Sequence, residues 1–537
     1  MRKTIISAAA LLTGALAIAQ NLNPTVEVTN SYAREASGIE KPSQLLSVPD
    51  SLYHFNLDFD YSVKETPYQG AYEFTPYLVQ PRPASRQTGE RTLYLRGGLG
   101  YTFHPEFTAI WNPVHSSRFR VGLFADHHSY IGRYHTIALD ADNRFTPDGT
   151  AWNGKDMRST VGADALYTWR GGFVTGDFRY QNILATHVSM GDFVNNKLQF
   201  KTRVGSDALA AVPYEVSTRF SWLNIGDNKE FHTVTTGFLG TKWKEYNLRI
   251  NAGVETLSAY DNSLAQISAA PRFLITKERL FLEIGAKLSF LFRSDKTFYP
   301  SGDLISFFPD VRLRVGLVPD KLVLKAAVTG GNQLLVYSDL IDTNPFLPYK
   351  PDYMDCSVER INASVYLGGQ VASRFHYGLK GGYILTTHAL LPGYRAGEPY
   401  FGFVEDLRQL YGTVSMGWAS APFDADAAVT FRYSHAGNAL ADDTLFKPAT
   451  FEGKFSAFYK WGGRLKAGAT VDAASKRVAP AAVLPGFVDV GLQADFRQSR
   501  NLGLWLRVGN LLCQTVQRNA FYAEKGLYLT VGATWQM

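Results

Sequence analysis

Leu527-Tyr528-Leu529-Thr530-Val531-Gly532-Ala533-Thr534-Trp535-Gln536-Met537 is the stretch on which the fold turns. Apolar residues alternate with small or polar ones up to the last position. Strand side chains alternate with period two, so Leu527, Leu529, Val531, Ala533, Trp535 and Met537 share one face of an extended strand. A soluble sheet would turn that face inward, and a sheet closed within a membrane would turn it outward. The strand by itself fits both.

The same alternation recurs upstream. In Leu282-Glu283-Ile284-Gly285-Ala286-Lys287-Leu288-Ser289-Phe290 the apolar set occupies even positions, with Glu283 and Lys287 opposite. Leu465, Ala467, Ala469 and Val471 oppose Arg464, Lys466, Thr470 and Asp472. Leu502, Leu504, Leu506 and Val508 share a face, with Arg507 opposite and Trp505 breaking the polarity of that side.

The first residues have the parts of an export signal: Arg2 and Lys3, the apolar run Ile5 to Ala19, and Ala17-Ile18-Ala19 before Gln20. Beyond them no run of about 18 apolar residues occurs, so no transmembrane helix is expected. Mean hydropathy is −0.13 and 45% of residues are hydrophobic. These averages suit a soluble protein and a transmembrane barrel alike, because lipid-facing apolar residues alternate with polar lumen residues. The 29 Tyr, 35 Phe and 9 Trp favour the barrel, whose interfaces carry aromatic girdles. A net charge of +6, dispersed along the chain, excludes a nucleic-acid surface.

Connection lengths discriminate further. Short turns are expected near His115-Ser116, Arg170-Gly171-Gly172, 208–213, 242–246, 277–279, 319–321, 373–374, 421–422, 461–463 and 499–501. Longer polar connections are expected around 133–157, 185–195, 294–303, 337–356, 388–398, 437–445, 475–486 and 513–525. Alternation of short and long is the pattern of an outer-membrane barrel, with short periplasmic turns and longer external loops. The expected fold is therefore all-β: a transmembrane antiparallel up-and-down β-barrel of about 22 strands (20–22) with a short N-terminal periplasmic segment. Residues 1–19 read as the signal peptide, 20–91 as a mostly irregular Pro-rich periplasmic or lumen segment, and 92–537 as the barrel. The first hairpin (92–114) and the strands flanking Gly226 carry the weakest pattern. Cys356 and Cys513 lie about seven predicted strands apart, which argues against a disulfide.

Val508-Gly509-Asn510-Leu511-Leu512 before the last loop, together with Gly330-Gly331-Asn332, Asn344-Pro345-Phe346 and Val48-Pro49-Asp50-Ser51, resembles TonB-dependent receptors. The resemblance implies an outer-membrane location and solute uptake or transport. It also implies that Thr25, Val26, Glu27, Val28 and Thr29 are similar to a TonB box. The chain departs from that pattern in leaving about 70 residues where such receptors have a plug of well over a hundred, and in ending on Met537 rather than an aromatic residue. A non-conducting scaffold subunit of an envelope complex is the alternative. Expected partners are outer-membrane lipid, the barrel assembly machinery, and TonB or another periplasmic or outer-membrane subunit.

No nucleophile elbow, phosphate-binding Gly loop or His-Glu-x-x-His motif occurs, so no catalytic residue, metal or cofactor is expected and the chain does not read as an enzyme. His127, His128, His135 and His187 read as solvated loop histidines. Asp164, Asp177, Arg179, Glu283, Lys287, Lys325, Arg464, Lys466 and Arg507 are expected to face the lumen. So wide a lumen is normally filled. Residues 21–90, inward-folded external loops such as 133–157 and 337–356, or a partner protein could fill it.

Overall fold

The computed structural model describes residues 92–537 apart from 102, 188–190, 208–209, 227, 244–245, 260–261, 294–303, 320, 348–354, 373 and 438–443. In chain order its elements are β1 (Leu93–Tyr101), β2 (Glu106–His115), β3 (Phe119–Leu139), β4 (Phe145–Trp169), β5 (Gly172–His187), β6 (Gly191–Ser206), β7 (Tyr214–Ile225) and β8 (Asn228–Trp243). There follow β9 (Tyr246–Ala259), β10 (Asn262–Lys277), β11 (Leu280–Arg293), β12 (Ile305–Val318), β13 (Leu322–Leu334), the helix α1 (Tyr337–Thr343), β14 (Cys356–Val371), β15 (Phe375–Arg395) and β16 (Glu398–Ala419). The chain continues through β17 (Phe423–Ala436), β18 (Phe451–Trp461), β19 (Leu465–Ala474), the short β20 (Arg477–Val478) and β21 (Val483–Leu484), then β22 (Phe487–Arg497), β23 (Leu502–Gly509) and β24 (Tyr528–Gln536).

All but β20 and β21 form one 22-stranded antiparallel sheet in which each strand pairs with its neighbours in sequence. The sheet closes where β1 meets β24, with Leu95 opposite Trp535 and Leu99 opposite Val531. Closure leaves no unpaired edge, as a hydrocarbon environment requires.

The side-chain distribution is inverted relative to a soluble protein. On β24, Leu529, Val531 and Trp535 are 41%, 52% and 39% exposed, whereas Thr530, Thr534 and Gln536 are at most 5% exposed. On β11, Ile284 and Leu288 face outward while Glu283 and Ser289 are buried. A water-soluble sheet would expose the threonines and bury the leucines, so the outer face is a lipid-facing belt. Trp169, Trp418, Trp461 and Trp535 stand outward at the strand ends beside the short turns, as one aromatic girdle.

Local chemistry explains those turns. The hydroxyls of Ser116, Ser420 and Ser499 accept the backbone N–H groups of Phe119, Phe423 and Leu502, closing each reversal within a few residues. At Trp461–Arg464 the left-handed backbone of Gly462 and Gly463 serves the same end.

Two expectations need correction. The segments 133–157, 185–195 and 388–398 are largely not loops: β3–β4, β5–β6 and β15–β16 continue as paired hairpins to Leu139/Phe145, His187/Gly191 and Arg395/Glu398. Their polar composition does not prevent pairing, because the backbone hydrogen bonds persist above the membrane and the inner face packs Tyr134 against Trp152. The alternation of loop lengths also fails on one side. The external connections Ile225–Asn228 and Ala259–Asn262 are as short as the periplasmic ones, the first turning on the positive φ of Gly226. Cys356 and Cys513 are unbridged, one buried and the other exposed.

Candidate functional site: a loop-roofed lumen chamber

The lumen holds a cavity of about 2460 Å³ whose lining runs from the periplasmic turns Lys277–Arg279 and Pro319–Lys321 up to Asp342–Phe346 and Arg518–Lys525. External segments form its roof. Around α1, Leu335, Tyr337, Ile341 and Leu347 pack on Ile183 and Leu223 of the wall and on Leu390 and Phe401 of the β15–β16 hairpin. Phe145 at the tip of β3–β4 joins Phe446, Ala479, Leu484 and Ala520. Phe346 lies against Tyr522 with ring centroids 3.8 Å apart, inside a cage that includes Tyr130 and Tyr134. Burial of these apolar groups is what holds the segments inward.

Buried charges fix α1 to the wall. The Glu230 carboxylate accepts the N–H groups of Tyr337 and Ser338 at 2.9 and 3.0 Å, filling the role of a helix cap. Lys197 donates from Nζ to the Ser338 carbonyl at 3.1 Å and to Asp342 Oδ2 at 3.0 Å. The final external loop is held by Arg518, which pairs with Asp472 at 2.9 Å and Glu524 at 2.6 Å. Burial pushes the Glu524 carboxyl above its ordinary range, and the like charges of Asp489 and Asp472 act in the same direction, against the Arg518 guanidinium.

The lining is charge-segregated. On the strands β9–β15 and their short turns it includes Arg249, Arg272, Lys277, Arg279, Arg312, Arg314, Lys321, Lys325, Arg374 and Lys380, but only Glu278 and Glu283 as acids, with Asp342 of α1 added from the roof. Elsewhere the lining acids, which include Glu106, Asp126, Asp156, Glu452, Asp472, Asp489 and Glu524, outnumber the bases. One wall is thus strongly cationic and the remainder close to balanced.

The sequence-selected charges do not converge on one point. Glu283 sits between Arg312 and Arg249, at 3.5 and 3.9 Å. Asp177 pairs with Arg179 at 2.9 Å, and Asp164 lies directly across the strand pair from Asp177. Arg507 reaches Glu106 at 3.1 Å. Lys325 lies over Tyr366 and Lys466 over Phe458, at 5.4 and 4.8 Å from the ring centroids. Lys287 occupies space that Gly331 leaves clear. Arg464 is exposed in the turn before β19, at the periplasmic rim. His128 lines the cavity and pairs with Asp126 at 3.0 Å, while His127 bonds Ser159 at 2.8 Å. Residues 25–29 lie outside the described residues. Sequence reasoning passed over Lys197, Glu230, Arg272 and Arg314. Alternation within β6, β8, β10 and β12 turns all of them inward, but the roof partners of Lys197 and Glu230 are remote in sequence, and the pairing of Arg272 with Asp310 depends on register.

An inverted exterior, a closed sheet and a charged lumen define an outer-membrane β-barrel. No protein-family model and no curated protein sequence matches the chain. Solved structures do match. The copper transporter OprC is 13% identical with a TM-score of 0.58, over 83% of this chain and 80% of that one. The ferric-catecholate import receptor Fiu from E. coli K12 is 10% identical with a TM-score of 0.60, over 83% and 82%. The FrpB iron transporter from Neisseria meningitidis is 9% identical with a TM-score of 0.60, again over 83% and 82%. At these identities the likeness is one of fold: the chain has the barrel of the TonB-dependent receptors.

Proposed function

We propose that this barrel acts in solute uptake across the outer membrane, with the roof around α1 as its external gate. The observation that carries this reading is the continuous chamber from the periplasmic turns to the roof, lined by charged side chains. A barrel serving only as a scaffold has no need of a wet, charged interior of that height. The fold neighbours, a copper transporter and an iron transporter among them, support the same class.

The scaffold reading draws on a different observation, the depth to which the roof is packed. Ile341 and Leu347 are fully buried, as is Phe145, and a permanently closed roof would suit a barrel that conducts nothing. Planar-bilayer recording separates the two. The full chain, a version lacking residues 21–90 and a Lys197→Met variant with α1 unlatched are compared. Current through either altered form supports transport. Silence in all of them favours the scaffold.

A further inference from the structure

Within the cationic wall, one register row stands out. Arg314 on β12 lies directly opposite Lys325 on β13, Lys325 opposite Tyr366 on β14, and Tyr366 opposite Lys380 on β15. The row continues through Thr413 and Thr430 and meets its first carboxylate at Glu452 on β18. Directly opposed like charges are unfavourable in a sheet, since their Cβ atoms are only about 5 Å apart. The chain nevertheless places such a pair in the row, and a second one a few residues away at Arg249 and Arg272. Two acids on this wall are already engaged: Glu283 bridges Arg249 and Arg312, and Asp310 is buried against Arg272 and Arg312; Glu278 lies apart, in the β10–β11 turn. Arg314 and Lys380 are exposed and line the chamber. Adjacent strands are about 4.8 Å apart, so the row offers three cations on four neighbouring strands, interrupted only by Tyr366, over about 14 Å of wall.

We infer that this row is the solute-binding wall of the chamber and that the solute it takes is an extended polyanion, with several phosphate or carboxylate groups spaced along it. Guanidinium and ammonium groups in line satisfy separated anionic groups in a way that one cation cannot. Low-dielectric walls focus the field of one sign and raise the local concentration of such a solute. Tyr366, set between two lysines, adds a flat surface for the backbone of the solute between its charged groups. The inference deepens the transport reading and rests on it.

The test uses the full-length barrel in detergent, titrated calorimetrically at low salt with inorganic tripolyphosphate. Saturable binding is expected, with orthophosphate weaker because it cannot bridge the row. The double variant Arg314→Gln/Lys380→Gln should lose tenfold or more in affinity, the effect of removing charge-assisted hydrogen bonds. Lys454→Gln, on the cavity lining outside the row, should stay within about twofold of the parent. Heat-modifiable gel mobility confirms that each variant is a closed barrel, and Arg314→Lys/Lys380→Arg should restore binding. Absence of tripolyphosphate binding overturns the inference, as does an equal loss from Lys454→Gln, which would mean diffuse attraction only. Bilayer recording keeps the two proposals apart. Current that tripolyphosphate does not block overturns the polyanion site and leaves transport standing, whereas binding without current in any form overturns transport and leaves the site.

Discussion

At the scale of single residues, facing determines the consequence of a charge. Ile284 is about half exposed on the lipid side of β11, one position from Glu283, which is buried in the lumen. Ile284→Arg should destabilise the folded barrel by about 2–4 kcal/mol if it lies near mid-membrane, read by denaturant unfolding in lipid vesicles. Lys287→Arg, on the lumen side, should leave the midpoint unchanged. Ser289 shares that side but is fully buried beside Asn332, whose amide lies 3.3 Å from its hydroxyl. Inward direction is therefore not the same as room, and sequence alternation shows only direction. The facing of β11 and β24 was legible because period two survives any tilt or closure of the sheet. The pairings of Glu283 with Arg312 and of Lys197 with Asp342 were not, because they depend on register and on loops that return from far along the chain.

At the scale of elements, the roof behaves as a set of docked segments over a fixed wall. Lys197 is almost wholly buried beneath α1, so Lys197→Met leaves the carboxylate of Asp342 without its cation. Removing one partner of a buried ion pair costs about 3–5 kcal/mol. A thiol introduced as Ile341→Cys, at a fully buried position, should react slowly with a maleimide in the parent. With Lys197→Met the rate should rise by about a hundredfold or more. An unchanged rate would mean that apolar packing alone holds α1 down. The last external loop should respond to pH. Because burial raises the Glu524 carboxyl above its unfolded value, the docked loop binds that proton more tightly than the free chain does. Its contribution is complete below about pH 4.3, the ordinary value for glutamate, and is lost as pH rises through the raised value. Protease nicking within 513–519 should therefore increase from acid toward neutral pH, and Glu524→Gln should flatten that slope. Sequence offered an inward fold of 337–356 as one way to fill the lumen, but not the contacts that hold it there. Tyr337, Ile341 and Leu347 lie in a short stretch that mixes apolar and polar residues without a strand period, and they are buried by Ile183 and Leu223 more than a hundred residues earlier and by Leu390 and Phe401 further on.

At the scale of the whole molecule, the short turns set the orientation. A peptide tag inserted after Asp142, at the exposed tip of the β3–β4 hairpin, should be accessible to antibody on intact cells. A tag after Gly171, in the turn between β4 and β5, should become accessible only after permeabilisation. The reverse result would invert the barrel and with it the assignment of roof and floor. The strand number was legible because most short turns carry a signature in Ser, Pro or paired Gly, and those at 242–246 and 277–279 are short charged breaks between alternating runs. The height of the external hairpins was not, since a polar segment can continue as a strand once its partner does. The outcome is a lopsided rim, tall at β3–β4 and β15–β16 and low from β7 to β10.

Trp505, the residue that broke the polarity of its strand, lies inward across the closing seam, over Gly532 of β24 and Gly98 of β1, with the Arg96 guanidinium 4.1 Å from its ring centroid. A Cβ at either glycine would collide with the indole. Hydrophobic alternation rejects a one-residue slip of the last strand but is silent about a slip of two, which keeps every apolar side chain facing lipid. A two-residue slip would bring Thr530 or Thr534 beneath the indole in place of Gly532. The tryptophan and its glycines thus act as a key and its slot, setting the register of the closing strand where the membrane itself cannot tell right from wrong.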